Sequence, residues 1–169
     1  KSARHASESA TPHPHIFIKE EQTNGMCSIS DVRKSIESGI PKQIWEMIQS
    51  ECDAETGNEP LTARSIFEGR NATIAKQNNP DYVICAAAGL RILRNALAML
   101  ITENEAYKQT ALNQIWTLID ESVFPDWIDQ AHLRFNLPAD LRTGMLSQDV
   151  AIGFDWLYPY LTKKERDRI

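Results

Sequence analysis

The sequence lacks any apolar run long enough to cross a membrane. Its longest apolar stretch without a charged residue, 82–90, ends at Arg91 and is about half of the ~20 residues that a bilayer span needs. The basic stripe that a duplex nucleic-acid binder normally carries is also missing, and the net charge is -5. We therefore expect no membrane span and no nucleic-acid partner.

Cysteine and glycine are too scattered to form several common sites. The three cysteines show neither a disulfide framework nor the spacing of a zinc site. His5, His13 and His15 have no carboxylate or cysteine at ligand spacing, so we expect them to be polar surface residues. The sequence has no glycine-rich phosphate loop, serine nucleophile elbow or paired-carboxylate motif. These absences predict no metal site and no cofactor in this chain.

The sequence does have the composition of one globular domain. It has 169 residues, of which 42% are hydrophobic, and this is enough to bury a sizeable core. Residues 1–12 are rich in serine, alanine and charge, and we expect them to form a flexible leader. Residues 16–18 are β-prone, and we expect a short extended segment there, laid against a helical body.

Helical patterns fill most of the remaining chain. A capping-box spacing at Ser28 and Asp31 starts the first predicted helix, and Gly39 fits its end. Pro41 suits the first turn of the second helix. The apolar stripe of that second helix consists of Ile44, Trp45, Ile48 and Cys52.

Four further helices are predicted after the turn-rich loop at 53–60. The helix over 82–101 is apolar on most faces, and only a short connection separates it from the amphipathic helix over 105–122. Residues 123–141 form a long irregular loop. The other two predicted helices are a short one over 61–70, which buries Ile66 and Phe67, and a last one over 143–159. We expect Trp45, Trp116 and Trp156 to lie in the core.

These patterns predict an all-α fold built of antiparallel helical hairpins, with a short extended N-terminal segment. Four segments, in this order, then resemble one family: HPHIFI at 13–18, RNALAMLITENEAY at 94–107, DLRTG at 140–144 and AIGFDWLYPYLTKKER at 151–166. Together they resemble the N-terminal helical region of heparinase II/III-type polysaccharide lyases. Phe154 stands where that family usually has tyrosine.

The resemblance implies that 13–169 is the N-terminal portion of an incomplete α/α toroid. The whole enzyme would add the rest of the toroid and a β-sandwich domain, and it would cleave an acidic, uronic-acid-containing polysaccharide by β-elimination. Heparin or heparan sulfate, alginate and ulvan are such polysaccharides. The family's catalytic residues lie in motifs beyond residue 169, so no catalytic residue is expected in this chain. The family also implies a periplasmic or extracellular location.

Three residues near the long loop are candidates for substrate binding. Arg142 is suited to a bidentate contact with a uronate or sulfate, or alternatively to a surface ion pair with Asp140 or Asp149. Trp127 can stack on a sugar ring or cover the helix ends. His132 has no partner that the sequence reveals.

Asp155 lies between Phe154 and Trp156 in an apolar helical pattern. A catalytic acid is one interpretation, and a structural carboxylate bonded to loop amides or an arginine is the favoured one, because buried charges must be paired.

Two other functions remain open. The chain is alternatively a non-catalytic helical-hairpin module that binds glycan or protein partners. A glycoside hydrolase on an α/α barrel would need two carboxylates facing one cleft, which Asp155 alone does not supply.

Overall fold

The computed structural model describes residues 13–23, 25–66, 80–128 and 130–169. The described chain is mostly helical, and its elements follow in this order: strands β1 (Ile18–Lys19) and β2 (Cys27–Ser28), helices α1 (Ile29–Ser35), α2 (Gly39–Glu55), α3 (Pro80–Thr102), α4 (Glu105–Leu118), α5 (Gln130–Arg134) and α6 (Leu141–Leu157), a 3₁₀ turn (Tyr158–Tyr160) and helix α7 (Lys163–Arg166). The all-α prediction is confirmed at this level.

Side-chain caps fix where several helices begin. At α1, Ser28 and Asp31 form the predicted capping box, in which each side chain bonds to the backbone N–H of the other residue. Thr162 and Glu165 form the same arrangement at α7, as their spacing predicts. Gly39 has a φ of 67°, which favours glycine, and α2 begins there rather than at Pro41.

The core centres on α3, which packs against α2, α4 and α6. Two residues connect α3 to α4, and Asn104 caps α4 by accepting a hydrogen bond from the Ala106 N–H, so the predicted helical hairpin is present. Glycines allow α3 and α6 to approach closely. A Cβ on Gly153 would lie 2.3 Å from Ile92 Cγ2, and a Cβ on Gly89 would lie 1.9 Å from Asp149 Oδ2.

By length and composition, α3 alone among the described helices would suffice to cross a membrane. Its most apolar window is nevertheless 61% buried inside the fold. Arg91 and Asn95, on the same helix, are buried and hydrogen-bonded to other parts of the chain. This burial is typical of a core helix in a folded domain.

The N-terminal extended segment pairs with the start of the helical body. β1 and β2 form a two-stranded parallel sheet in which Ile18 lies opposite Cys27. Ile18 is buried, whereas Phe17 is exposed and has a φ of 62°. The predicted β-prone segment 16–18 and the observed strand β1 therefore share only Ile18.

The predicted helix over 61–70 is wrong in its described part. Residues 61–66 are not helical, and Ile66, predicted to be buried, is 91% exposed. Gln114, which is fully buried, bonds to both backbone groups of Leu61 at 2.8 and 2.9 Å, and this satisfies them without a helix. Phe67 and the leader at 1–12 lie outside the described residues.

Smaller differences concern the edges of elements. Trp45 and Trp156 are buried as predicted, but Trp116 is half-buried. Ile44 is exposed, so the apolar stripe of α2 is narrower than predicted. The long loop contains the short helix α5, and α4 ends at Leu118 rather than at residue 122.

Candidate functional site

The junction before α6 brings together the three candidate substrate-binding residues. Asp140 caps α6, with its carboxylate accepting from the Arg142 N–H at 2.8 Å. The same carboxylate forms an ion pair with the Arg142 guanidinium, whose Nε lies 3.1 Å from Oδ2. Arg142 is buried, so the predicted ion pair with Asp140 is present, although it is not on the surface. Contact between Arg142 and a substrate stays a prediction.

His132 and Trp127 are held at the same junction. His132 Nδ1 lies 2.9 Å from Asp140 Oδ2, and nearly half of the imidazole is exposed. Trp127 Nε1 donates to the Leu118 carbonyl at 2.9 Å, and the ring is half-buried against the core. The packing alternative for Trp127 therefore has direct support, and His132 has a partner eight residues away that the sequence did not reveal.

A cleft of about 220 Å³ opens beside this junction. It lies between the start of α3, the start of α6 and the segment that follows α4. Burial raises the pKa of the Cys85 thiol on its wall to about 11, so this thiol is protonated at neutral pH. Among the residues that the structure describes, the charged ones that line the cleft are two arginines and two aspartates: Arg64, Arg142, Asp81 and Asp126.

At the other end of α6, Asp155 holds the N-terminal segment. Its Oδ2 accepts hydrogen bonds from the backbone N–H groups of His15 and Ile16, each at 2.9 Å. Its Oδ1 lies 2.6 Å from His13 Nδ1. The next residue, Trp156, donates from Nε1 to the Ile16 carbonyl at 2.8 Å. Asp155 is 3% exposed, and its bonds to loop amides agree with the predicted buried, paired carboxylate.

Aromatic rings surround this contact. The His13 ring lies 4.1 Å from the Tyr158 ring and 4.6 Å from the His15 ring, measured between centroids. The guanidinium of Arg166 lies 4.0 Å from the Tyr158 ring centroid, in cation–π geometry. His13 and His15, predicted to be polar surface residues, are thus partly exposed but belong to a packed cluster.

The polar residues of α3 anchor the loop after α2. Arg91 donates to the carbonyls of Glu55, Asn58 and Glu59 at 2.7–3.1 Å, and burial lowers its pKa. Asn95 donates to the Glu55 carboxylate at 2.8 Å, and Arg94 forms an ion pair with the same group. The polar side chains that interrupt the apolar pattern of α3 are therefore hydrogen-bonded to the loop after α2 or to Glu55. A structural role explains these side chains more simply than a functional one.

No family model matches this chain, and no curated protein matches it. The family resemblance of the four segments stays a prediction. Within the described chain, the residues that sequence reasoning missed are His13 and His15, because their partner Asp155 lies about 140 residues away. The weak signal that could have found them is that both resembling segments place polar groups beside apolar ones: His13 and His15 before Ile16, and Asp155 between Phe154 and Trp156.

Proposed function

We propose that this chain is the N-terminal part of the α/α toroid of a polysaccharide lyase. The observation that carries the proposal is a contact between two of the four resembling segments. Segments 13–18 and 151–166 are distant in sequence, yet Asp155 and Trp156 bond directly to the backbone of His15 and Ile16. Two chance resemblances would have no reason to be each other's partners.

The other two segments lie on helices of the same core. Segment 94–107 contains the turn between α3 and α4, and segment 140–144 contains the cap of α6. Helices α3 and α6 pack closely through Gly89 and Gly153 and are the most apolar of the long helices. In the proposed toroid they are inner helices, and α4 is an outer one.

The proposed reaction is β-elimination on an acidic polysaccharide. A base removes the proton at C5 of the uronate, the electrons form a C4–C5 double bond, and an acid protonates the departing oxygen at C4. The groups that perform these steps, and the β-sandwich domain, belong to a longer protein that contains this chain. Its place is periplasmic or extracellular, where such polysaccharides occur.

In this proposal the cleft beside α6 contributes to one wall of the substrate site. The charges of the two arginines and two aspartates described on its wall cancel, so these four residues give a uronate no strong net electrostatic attraction. Of the three candidate residues only Arg142 lines the cleft, and Trp127 and His132 lie near the same junction. Binding would rest on directional contacts of Arg142 and of the exposed part of His132, and on stacking against the part of the Trp127 ring that the core does not cover. Because the resemblance places the family's catalytic motifs beyond residue 169, the isolated chain is expected to be inactive.

The test uses the longer protein, which is incubated with heparan sulfate, chondroitin sulfate, dermatan sulfate, alginate and ulvan. The proposal predicts that one of them gives new ultraviolet absorbance from the unsaturated uronate. Arg142→Lys should raise KM for that polymer, whereas Arg134→Lys on α5, outside the cleft, should leave it unchanged. The absence of unsaturated product from every polymer would refute the lyase proposal.

A second candidate function, a non-catalytic module that binds a protein partner, is favoured by one surface. Three apolar residues on one face of α2 are largely exposed: Ile40 by 71%, Ile44 by 52% and Met47 by 70%. Their spacing of four and three residues places them in one stripe. A stripe of this kind is typical of a surface that packs against something else.

Dye binding and thermal unfolding of the isolated chain separate the two candidates. A complete helical module should unfold in one sharp transition and bind a hydrophobic dye mainly through the α2 stripe, whereas part of a toroid should also bind dye through the apolar sides of its inner helices. Ile44→Glu together with Met47→Glu should lower dye binding if the α2 stripe is the surface that binds the dye. Leu137→Glu, on an exposed apolar residue after α5, serves as the control.

A further inference from the structure

We propose that His13, His15 and Asp155 form a binding site for a divalent transition-metal ion, with Zn²⁺ as the first candidate. The Nδ1 atoms of both histidines approach the same carboxylate oxygen, Asp155 Oδ1, at 2.6 and 3.0 Å. The three potential ligand atoms all lie within 4.8 Å of one another. This site is independent of the proposed lyase function and about 20 Å along α6 from the substrate cleft.

The donor set suits such an ion. Neutral imidazole nitrogen and carboxylate oxygen bind zinc at about 2.0–2.2 Å, and tetrahedral geometry then separates neighbouring ligands by about 3.3 Å. The two observed separations of 2.6 and 3.0 Å are each within about 1 Å of that value. The two histidine nitrogens lie within 4.8 Å of each other and would have to come to about 3.3 Å apart, which rotations of the two imidazoles would provide.

One buried atom at this site lacks a hydrogen bond. Within the described chain, His15 Nδ1 is inaccessible to solvent and has no hydrogen-bond partner. It lies 3.0 Å from Asp155 Oδ1, but the contact is not aligned as a hydrogen bond. An unpaired buried nitrogen is costly, and a metal ion between Nδ1 and Oδ1 would remove that cost.

The carboxylate is already oriented for this role. Asp155 Oδ2 accepts from the N–H groups of His15 and Ile16, so Oδ1 is the oxygen left facing the imidazoles. Such bonds to a ligand's second oxygen are typical of metal sites, where they fix the ligand's direction.

The site also has an entry path. His13 and His15 line a cleft of about 370 Å³, whose wall includes Glu20 and Glu21. A water molecule or one of these carboxylates would supply a fourth ligand. Lys19 on the same wall opposes the charge of the ion, so we expect a site of moderate affinity. A bound ion would fasten residues 13–16 to the end of α6.

The experiment titrates the metal-free 169-residue chain, after treatment with a chelator, with Zn²⁺ and separately with Co²⁺. A Cys27→Ser background removes the exposed thiol, which is a competing ligand. We expect one ion per chain, the visible absorption of four-coordinate Co²⁺, and a Tm that rises by about 5–10 °C when Zn²⁺ is at 100 times its Kd.

Two ligand variants and one matched control identify the site. His15→Ala keeps every backbone bond to Asp155 and should weaken Zn²⁺ binding at least about tenfold, since even outer-shell changes cost that much. Asp155→Asn should do the same, and far-UV circular dichroism checks that each variant folds. His132→Ala removes a histidine from a pair with Asp140, beside which the described part of the chain places no second histidine at ligand distance, and it should bind Zn²⁺ like the parent.

Either of two results would overturn the proposal. One is a chain whose Tm does not respond to any of the ions. The other is a folded His15→Ala variant that binds Zn²⁺ within twofold of the parent chain. In both cases His13, His15 and Asp155 would be a hydrogen-bonded contact without a metal.

Discussion

Replacing Asp155 by alanine should detach the N-terminal segment from α6. The carboxylate is buried and accepts hydrogen bonds from two backbone N–H groups, those of His15 and Ile16, besides its contact with His13. Alanine would leave both N–H groups without an acceptor, at roughly 1–3 kcal/mol each. Because the segment is partly exposed, water relieves some of this cost, and we expect a loss of about 2–5 kcal/mol in the free energy of unfolding.

Asp155→Asn is the matched comparison. The asparagine oxygen can still accept from both backbone N–H groups, while its NH₂ donates to His13 Nδ1 in the tautomer that accepts. The expected loss is about 1–2 kcal/mol, because hydrogen bonds to a charged acceptor are stronger than those to a neutral one. For a chain of this size, the alanine variant should melt roughly 5–15 °C below the parent and the asparagine variant a few degrees below it.

The assay is urea unfolding followed by circular dichroism, in the presence of a chelator so that metal binding does not contribute. Limited proteolysis should also cut residues 13–18 faster in the alanine variant than in the parent. A loss below about 1 kcal/mol for alanine, or equal losses for both variants, would refute the reasoning that Asp155 holds this segment through its acceptor oxygens.

Three further predictions concern packing, titration and thiol reactivity. Gly153→Ala should lower the free energy of unfolding in urea by about 1–3 kcal/mol, because the new Cβ would lie 2.3 Å from Ile92 Cγ2. Gly144→Ala, whose Cβ would have nothing within 4 Å, should raise it by about 0.5–1 kcal/mol, and equal effects of the two variants would contradict the close packing at Gly153. Burial raises the pKa of the Asp149 carboxyl, so the folded state holds the carboxyl proton more tightly than the unfolded state does, and the free energy of unfolding falls as pH rises from the ordinary carboxyl range through the raised pKa. Asp149→Asn should remove this fall, and an unchanged pH profile of unfolding in the variant would count against the prediction. A thiol reagent should modify the exposed Cys27 quickly and the buried Cys85 and Cys52 slowly, because burial raises their thiol pKa values to about 11 and about 12, respectively. A fast phase of modification that persists in Cys27→Ser would be the contrary result.

Local rules explain why the sequence predicted most of the helices. The capping boxes at Ser28 and Thr162 and the short connection at 103–104 depend on neighbours in the chain, and all three are present. The helix expected over 61–70 fails in its described part because Gln114, on a distant helix, supplies the partners of the Leu61 backbone. A propensity cannot anticipate such a long-range bond.

The same distinction applies to the candidate sites. The sequence pattern indicated that Asp155 is a buried, paired carboxylate, but its partners at 13–16 become visible only when the chain is folded. His132 and Asp140 are eight residues apart and belong to no regular spacing, so their contact was not predicted either. The ion pair of Arg142 with Asp140, one of the two predicted alternatives, is present, and contact of Arg142 with a substrate stays a prediction.

The central proposal is that this chain belongs to an enzyme that cleaves an acidic polysaccharide by β-elimination rather than by hydrolysis. The most direct measurement is the mass of the products that the longer protein releases from its polysaccharide, with the reaction run in ¹⁸O-labelled water. The lyase proposal predicts an unsaturated uronate end that is lighter than a hydrolysis product by one water molecule and carries no ¹⁸O. Saturated non-reducing ends, together with ¹⁸O at the new reducing ends, would contradict it and would identify a glycoside hydrolase instead.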